Sequence, residues 1–247
     1  MKHLCFVGTQ WRIRIKTVLI NDIQYEVHVV SKPTQGFDAL IPMMEHDIRA
    51  CVDSPNTYMP NPETLNIFQD KKLFLKYIQE YKLESCVPQH FESVISEEKT
   101  VIVKPALGIA GMGHRIFKSQ QITQDMFTKH VVQEYLPGRF EYTAHIVAKQ
   151  GKIIVCLIYE YDFEKEQYIK GGVHERTQIV KKPVCKEDIE FFEQFLLPCK
   201  YNAQCNFNYK FQDGAKKVLE INPRFGGSLM LSKNIDDLCT VLTAIMQ

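Results

Sequence analysis

FNYKFQDGAKKVLEINPRFGGS, residues 207–228, is the most informative stretch of this chain. CNFNYKF (205–211) and KKVLEIN (216–222) are patterned as strands, and QDGA (212–215) between them is a turn, so a β-hairpin is predicted. Glu220 and Asn222 stand two apart and therefore share a strand face. A turn at Asp213–Gly214 brings Asn208 opposite Glu220, in a register that the sequence does not fix. One carboxylate and two amide oxygens gathered in this way are hard oxygen donors suited to Mg²⁺, with phosphates and water completing an octahedron. Arg224 follows two residues on, where it could hold a transferring phosphate, and Gly226-Gly227 permit a tight turn beside it. A surface hairpin with a merely solvated polar face would show the same residues.

Working backward, VIVKPALG (101–108) reads as a strand entering a glycine-rich turn. Lys104 offers a point charge to phosphate oxygens, and Gly108, Gly111 and Gly113 let backbone N–H groups approach an anion. The pattern is neither G-x-x-x-x-G-K-[ST] nor G-x-G-x-x-G, and a flexible hairpin turn is the plain alternative. VVQEYL (131–136) is a strand leading into PGRFE; a loop of this kind could take a flat base and a ribose, or simply pack. EYTAHIVAKQGKIIVCLIYEY (141–161) is a hairpin turning at Gln150–Gly151. Strands are predicted at 4–8, 17–21 and 25–31. One helix is predicted over 63–82, with Leu65, Phe68, Leu73, Leu75 and Ile78 inward and its start at Asn61 or Pro62. Further helices are predicted at 122–130, 186–199 and 236–246.

The 247 residues, 45% hydrophobic and 24% charged, suffice for a real core. Thirty basic against 29 acidic side chains give a net charge of +1, so no general attraction to nucleic acid or membrane is expected. Eight cysteines without a C-x-x-C pair are expected as buried free thiols in a cytoplasmic protein. The start MKHLCFVG is too short an apolar run for a signal peptide, and no stretch is long enough to span a membrane.

Four segments in order, NIFQDKKLF (66–74), VIVKPALGIAGMG (101–113), VVQEYLPGRFEYT (131–143) and residues 207–228 with their E-x-N-P-R-x-G-G tail, resemble the ATP-grasp superfamily, most nearly its carboxylate–amine ligase branch. The resemblance covers about residues 35–247. It implies an α/β and α+β fold: a shortened pre-ATP-grasp domain (1–62), a helical connector (63–92), a small lobe with the glycine loop (93–136) and a large lobe with the metal site (137–247).

It also implies roles. Lys71 and Lys104 resemble the two phosphate-contacting lysines, and Gly108, Gly111 and Gly113 the loop that closes over the phosphates. Gln133, Glu134 and Leu136 resemble the hinge on the adenine edge, and Glu141 the acid that holds the ribose. Asn208, Glu220 and Asn222 resemble the metal set, and Arg224 the arginine near the γ-phosphate. Lys170, Gly172, His174 and Arg176 resemble the acceptor side. ATP and Mg²⁺, replaceable by Mn²⁺, are the implied cofactors, and a small carboxylate and an amine the implied substrates. A kinase of a small hydroxylated acceptor and a non-catalytic nucleotide-binding module are the competing functions. Two departures from the pattern stand out. Asn208 occupies a position often held by Glu, Gln or Asp. The pre-domain is also short, so that a second subunit, as in a homodimer, could complete the acceptor pocket.

Overall fold

The computed structural model of the chain describes residues 2–8, 25–108, 111–170 and 177–246. The strand expected at 17–21 lies outside them. Three sheets are formed by the described residues. The first is parallel, in the order β2-β1-β3, from β1 (Lys2–Val7), β2 (Tyr25–Val30) and β3 (Ala39–Pro42). Leu4, Cys5, Phe6 and Val7 of the middle strand are all buried, as expected of a parallel strand covered on both faces. Helix α1 (Glu45–Ala50) follows β3.

Two helices, α2 (Pro62–Gln69) and α3 (Lys71–Glu80), replace the single helix expected over 63–82. Asn61 caps α2 by accepting from the Thr64 N–H, with proline at the first helical position. Asp70 interrupts the run: its backbone is extended, and its carboxylate accepts from the N–H groups of Lys72 and Leu73 to start α3. The helical phase resets there. Phe74, Leu75, Tyr77 and Ile78 turn inward, whereas Leu73, expected inside, is exposed.

The second sheet is antiparallel, in the order β4-β7-β5-β6. It comprises β4 (His90–Phe91), β5 (Thr100–Pro105), β6 (Arg115–Lys118) and β7 (His130–Glu134), with α4 (Gln124–Lys129) leading into β7. The third is also antiparallel, in the order β10-β9-β8-β11-β12. Its strands are β8 (Phe140–Lys149), β9 (Lys152–Phe163), β10 (Thr177–Lys182), β11 (Ala203–Gln212) and β12 (Ala215–Asn222). Gln150–Gly151 makes the expected turn between β8 and β9.

The third sheet is central. On one face Ala144, Ile146, Phe207 and Tyr209 pack against Phe192 and Phe195 of α5 (Lys186–Leu196) and against Phe68, Tyr77 and Ile78 of α2 and α3. On the other, Val147, Leu157 and Tyr159 meet Leu4, Phe6 and Ile41 of the first sheet and Leu238 and Leu242 of α6 (Ile235–Ile245). Strand alternation places Glu141, Thr143 and His145 on the same face as Val147. That face is thus apolar under α6 and polar further along. The mixed α/β and α+β architecture is the one expected. Among the described residues no helix is long and apolar enough to cross a membrane. The eight cysteines are free; Cys5, Cys51 and Cys205 are buried, but Cys185 is exposed, so the expectation of buried thiols holds only in part.

Candidate active site

The hairpin of β11 and β12 carries a β-bulge that sets the site. Its two-residue loop pairs Gln212 with Ala215, and an unbroken ladder from there would place Asn208 opposite Leu219. The register instead shifts between Asn208 and Tyr209, so that Asn208 faces Glu220, Phe207 faces Ile221 and Asn206 faces Asn222. Ile221 thereby enters the core while Glu220 and Asn222 line a cleft of about 330 Å³. Without the shift Glu220 would point into the core beside Phe207.

Three asparagines and one carboxylate form a connected cluster there. The Nδ2 groups of Asn208 and Asn222 donate to Glu220 Oε1 at 2.7 and 3.1 Å. Asn208 Oδ1 accepts from Thr143 Oγ1 at 2.8 Å and from Lys170 Nζ at 3.1 Å. Asn206 donates to the Arg224 carbonyl at 2.8 Å, anchoring the turn that carries that arginine into the cleft. Burial alone would raise the Glu220 pKa. The amide hydrogen bonds of Asn222 and Asn208 and the charges of Lys104 and Lys71 outweigh it and hold the carboxylate at about 2. Glu220 is therefore ionised at neutral pH. One ionised carboxylate with neighbouring amides is a donor set that fits Mg²⁺.

Lys104 lies on β5 and Lys71 opens α3; both are buried. The extended backbone at Asp70 lets the Lys71 N–H donate to the Ala106 carbonyl, which ties α3 to the strand carrying Lys104. Lys104 Nζ donates to Gln133 Oε1 at 2.9 Å and to the carbonyl of the bulged Leu219 at 3.5 Å. Desolvation pulls its pKa down to about 8, against the attraction of Glu220. His114, at the end of the glycine loop, is pushed to about 4 by burial and by the Lys104 and Lys71 charges, so it is neutral. Gly111 adopts φ +71°, and a Cβ there would stand 2.4 Å from the Lys170 carbonyl oxygen. The loop is thus pressed against Ile169 and Lys170, which follow β9. Gly113 also lies in this loop, and Gly108 lines a second cavity of about 320 Å³ on the other side of Glu220, together with Lys71 and Gln133.

The expected hinge separates by strand alternation. Glu134 and Leu136 line the cleft, whereas Gln133 turns away from it to Lys104. Glu141 is buried in the cleft wall, where Oε1 pairs with Lys170 Nζ at 2.8 Å and Oε2 accepts from Tyr168 at 3.4 Å. Lys170 therefore lies within the cleft, bridging Glu141 and Asn208. Burial opposes its charge, but Glu141, Tyr161 and Glu220 raise its pKa above the ordinary lysine value. Gly172, His174 and Arg176 lie outside the described residues.

Sequence reasoning passed over His114, Thr143, Tyr168 and Lys210, which all line the cleft. Lys210 is buried and donates to the carbonyls of Leu136 and Gly138 at 2.9 and 2.7 Å, over the Tyr168 ring. Alternation along β11 could have found it, since residues 206, 208 and 210 share a face. The same alternation along β8 places Thr143 on the face of Glu141, whereas nothing in local pattern marks His114 or Tyr168.

The sequence matches the family model described as ATP-grasp domain over residues 68–228. No curated protein sequence matches it. Among the solved structures similar across nearly all of this chain are three ligases. D-alanine–D-alanine ligase from Bacillus anthracis is 17% identical, with 100% of this chain and 95% of that chain covered and a TM-score of 0.64. Phosphoribosylamine–glycine ligase from Thermotoga maritima is 14% identical, with 99% and 75% covered and a TM-score of 0.72. L-amino acid ligase from Bacillus licheniformis is 14% identical, with 100% and 74% covered and a TM-score of 0.66. Likeness at these identities establishes the fold.

Proposed function

Because the chain belongs to the ATP-grasp family, we propose that it is an ATP-dependent carboxylate–amine ligase acting on small substrates. The strongest support is the ionised Glu220 set among Asn208, Asn222 and two buried lysines, Lys104 in the cleft and Lys71 in the cavity on the other side of Glu220. Residues 93–136 and 137–247 are then the lobes that clasp the nucleotide, after a pre-domain (1–62) and connector (63–92). Lys71, Lys104 and the loop of Gly108, Gly111 and Gly113 attend the phosphates. Glu134 and Leu136 border the base, and Gln133 holds Lys104 in place. Glu141 receives the ribose hydroxyls. Lys170 is reassigned from the acceptor side to the nucleotide cleft.

Asn208, Glu220 and Asn222 would hold Mg²⁺, which supplies positive charge to the phosphate oxygens when bound. The asparagines now turn their NH₂ groups to Glu220, so serving a cation calls for the opposite amide orientation and for Lys170 to release Asn208 Oδ1. A substrate carboxylate oxygen attacks the γ-phosphorus, the bond to the β-phosphate oxygen breaks, and ADP leaves. Arg224 offsets charge on the transferring group. The amine nitrogen then attacks the acyl carbon, phosphate leaves, and the nitrogen loses a proton to give the amide. Closure of the glycine loop keeps water from the acyl phosphate.

Incubation with Mg–ATP and paired pools of amino acids and small carboxylic acids tests this, read as ADP release and product mass. An amide with ADP and phosphate in equal amounts is expected. A phosphorylated acceptor would point to a kinase instead, and nucleotide binding without turnover to a regulatory module. No ADP from any pool, with ATP also failing to bind, would rule out all three.

A further inference from the structure

Away from the cleft, three side chains able to bind a metal converge on the first sheet. The parallel register of β1 and β2 sets His3 directly beside Glu26, and His28 follows two residues later on the same face of β2. Glu26 reaches both rings. Its Oε2 lies 3.2 Å from His3 Nδ1, and its Oε1 lies 3.0 Å from His28 Nε2. All three candidate ligand atoms lie within 4.8 Å of one another. Among the described residues no other three histidine, cysteine or carboxylate side chains come together in this way.

The framework around the group is fixed. The His3 N–H donates to Asp38 Oδ2 at 2.6 Å, and the Asp38 N–H donates back to the His3 carbonyl at 2.9 Å. The Phe37 ring packs on the His28 imidazole with centroids 5.0 Å apart, limiting its orientation. The three side chains themselves remain 39–49% exposed, so small rotations can bring them closer and water can complete the shell.

We propose that His3, Glu26 and His28 form a three-ligand site for a borderline transition metal ion, Zn²⁺ foremost. Zinc bonds of about 2.0–2.1 Å in a tetrahedron place neighbouring ligand atoms about 3.3 Å apart, close to the spacing already present between the carboxylate and each ring. Two imidazoles and one carboxylate favour Zn²⁺, Ni²⁺ or Cu²⁺ over Mg²⁺, so this site does not compete with the oxygen donors at Glu220. The bound ion ties β1 to β2 near the start of both strands. It acts as a clip on the first sheet and takes no part in the cleft chemistry.

The test uses the full chain without a histidine tag. Zinc chloride is titrated against a chromogenic chelator of micromolar affinity, and Co²⁺ is followed by its visible absorption. One equivalent of metal is expected, with a tetrahedral Co²⁺ spectrum and a melting temperature that rises with zinc concentration. His28→Ala and His3→Ala should each weaken binding by more than about tenfold. His3 is exposed and His28 half-buried, and an unchanged circular dichroism spectrum checks the fold of each variant. Glu220→Gln should leave zinc binding intact. Binding that persists unchanged in both histidine variants, or that disappears with Glu220→Gln, would overturn the assignment. So would failure of the wild-type chain to draw zinc from the chelator.

Discussion

Glu220 is held ionised by two asparagine amides and two buried ammonium groups, and its value is also its vulnerability. Its folded pKa of about 2 lies below the ordinary 4.5, so the stability it contributes is fully present above pH 4.5 and is lost as pH falls through about 2. Glu220→Gln keeps the shape and removes the charge. In an acid titration followed by circular dichroism, the variant should lose much of the pH dependence between those limits. Its ATP turnover should fall by at least about 100-fold. An unchanged rate would show that the metal set lies elsewhere. Lys104 gives a second expectation at this scale. With a ligand-free pKa of about 8, it is largely neutral above that pH. An arriving triphosphate favours the ammonium, so binding at pH 8.5 should take up protons and weaken as pH rises. Calorimetry in buffers of different ionisation enthalpy measures the uptake, which Lys104→Met should abolish.

At the scale of elements, the glycine loop and the segment at Lys170 close the cleft where Gly111 meets the Lys170 carbonyl. Gly111→Ala adds a methyl group into that contact and also disfavours φ +71°. It should raise the KM for ATP and lower kcat by about tenfold or more, with little change in melting temperature. The same scale shows what could be read from sequence. The β11–β12 hairpin, its turn and its polar face were legible because alternation and turn chemistry are local. The family was legible because residues 220–227 keep their spacing. The break at Asp70 was not, since QDKK fits both a helix interior and a cap. The short edge strand β6 has no buried alternation to betray it. Gln133 and Glu134 were grouped as one hinge although neighbours on a strand must point apart. Lys170 found its partners, Glu141 and Asn208, only through sheet pairing between distant strands.

For the whole molecule, Phe225 joins the site to the framework. It follows Arg224 and is buried with Leu4, Phe6 and Ile41 of the first sheet, Tyr159 of the central sheet and Leu238 of α6. Phe225→Ala should cost about 3–5 kcal/mol by equilibrium denaturation. It should also weaken catalysis at temperatures where the fold persists, because Arg224 loses its anchor. Conversely, saturating Mg–ADP should stabilise the wild-type chain by about 2.7 kcal/mol at one hundred times its Kd, seen as a melting shift of several degrees.

The bulge at Leu219 makes the hairpin a counting device. What must be preserved between Asn208 and Glu220 is the number of residues, since one more or one fewer before the bulge exchanges the faces of Leu219 and Glu220. The letters at the tip are free by comparison: Asp213-Gly214 can be rewritten as any two-residue turn that reverses the chain in the same way. Among distant relatives this stretch should therefore vary in composition while resisting insertions and deletions. A grafted loop or epitope tag does not belong at Gln150–Gly151 either, because Gly151 is buried against Leu196 and Leu197 and donates its N–H to the Tyr201 carbonyl.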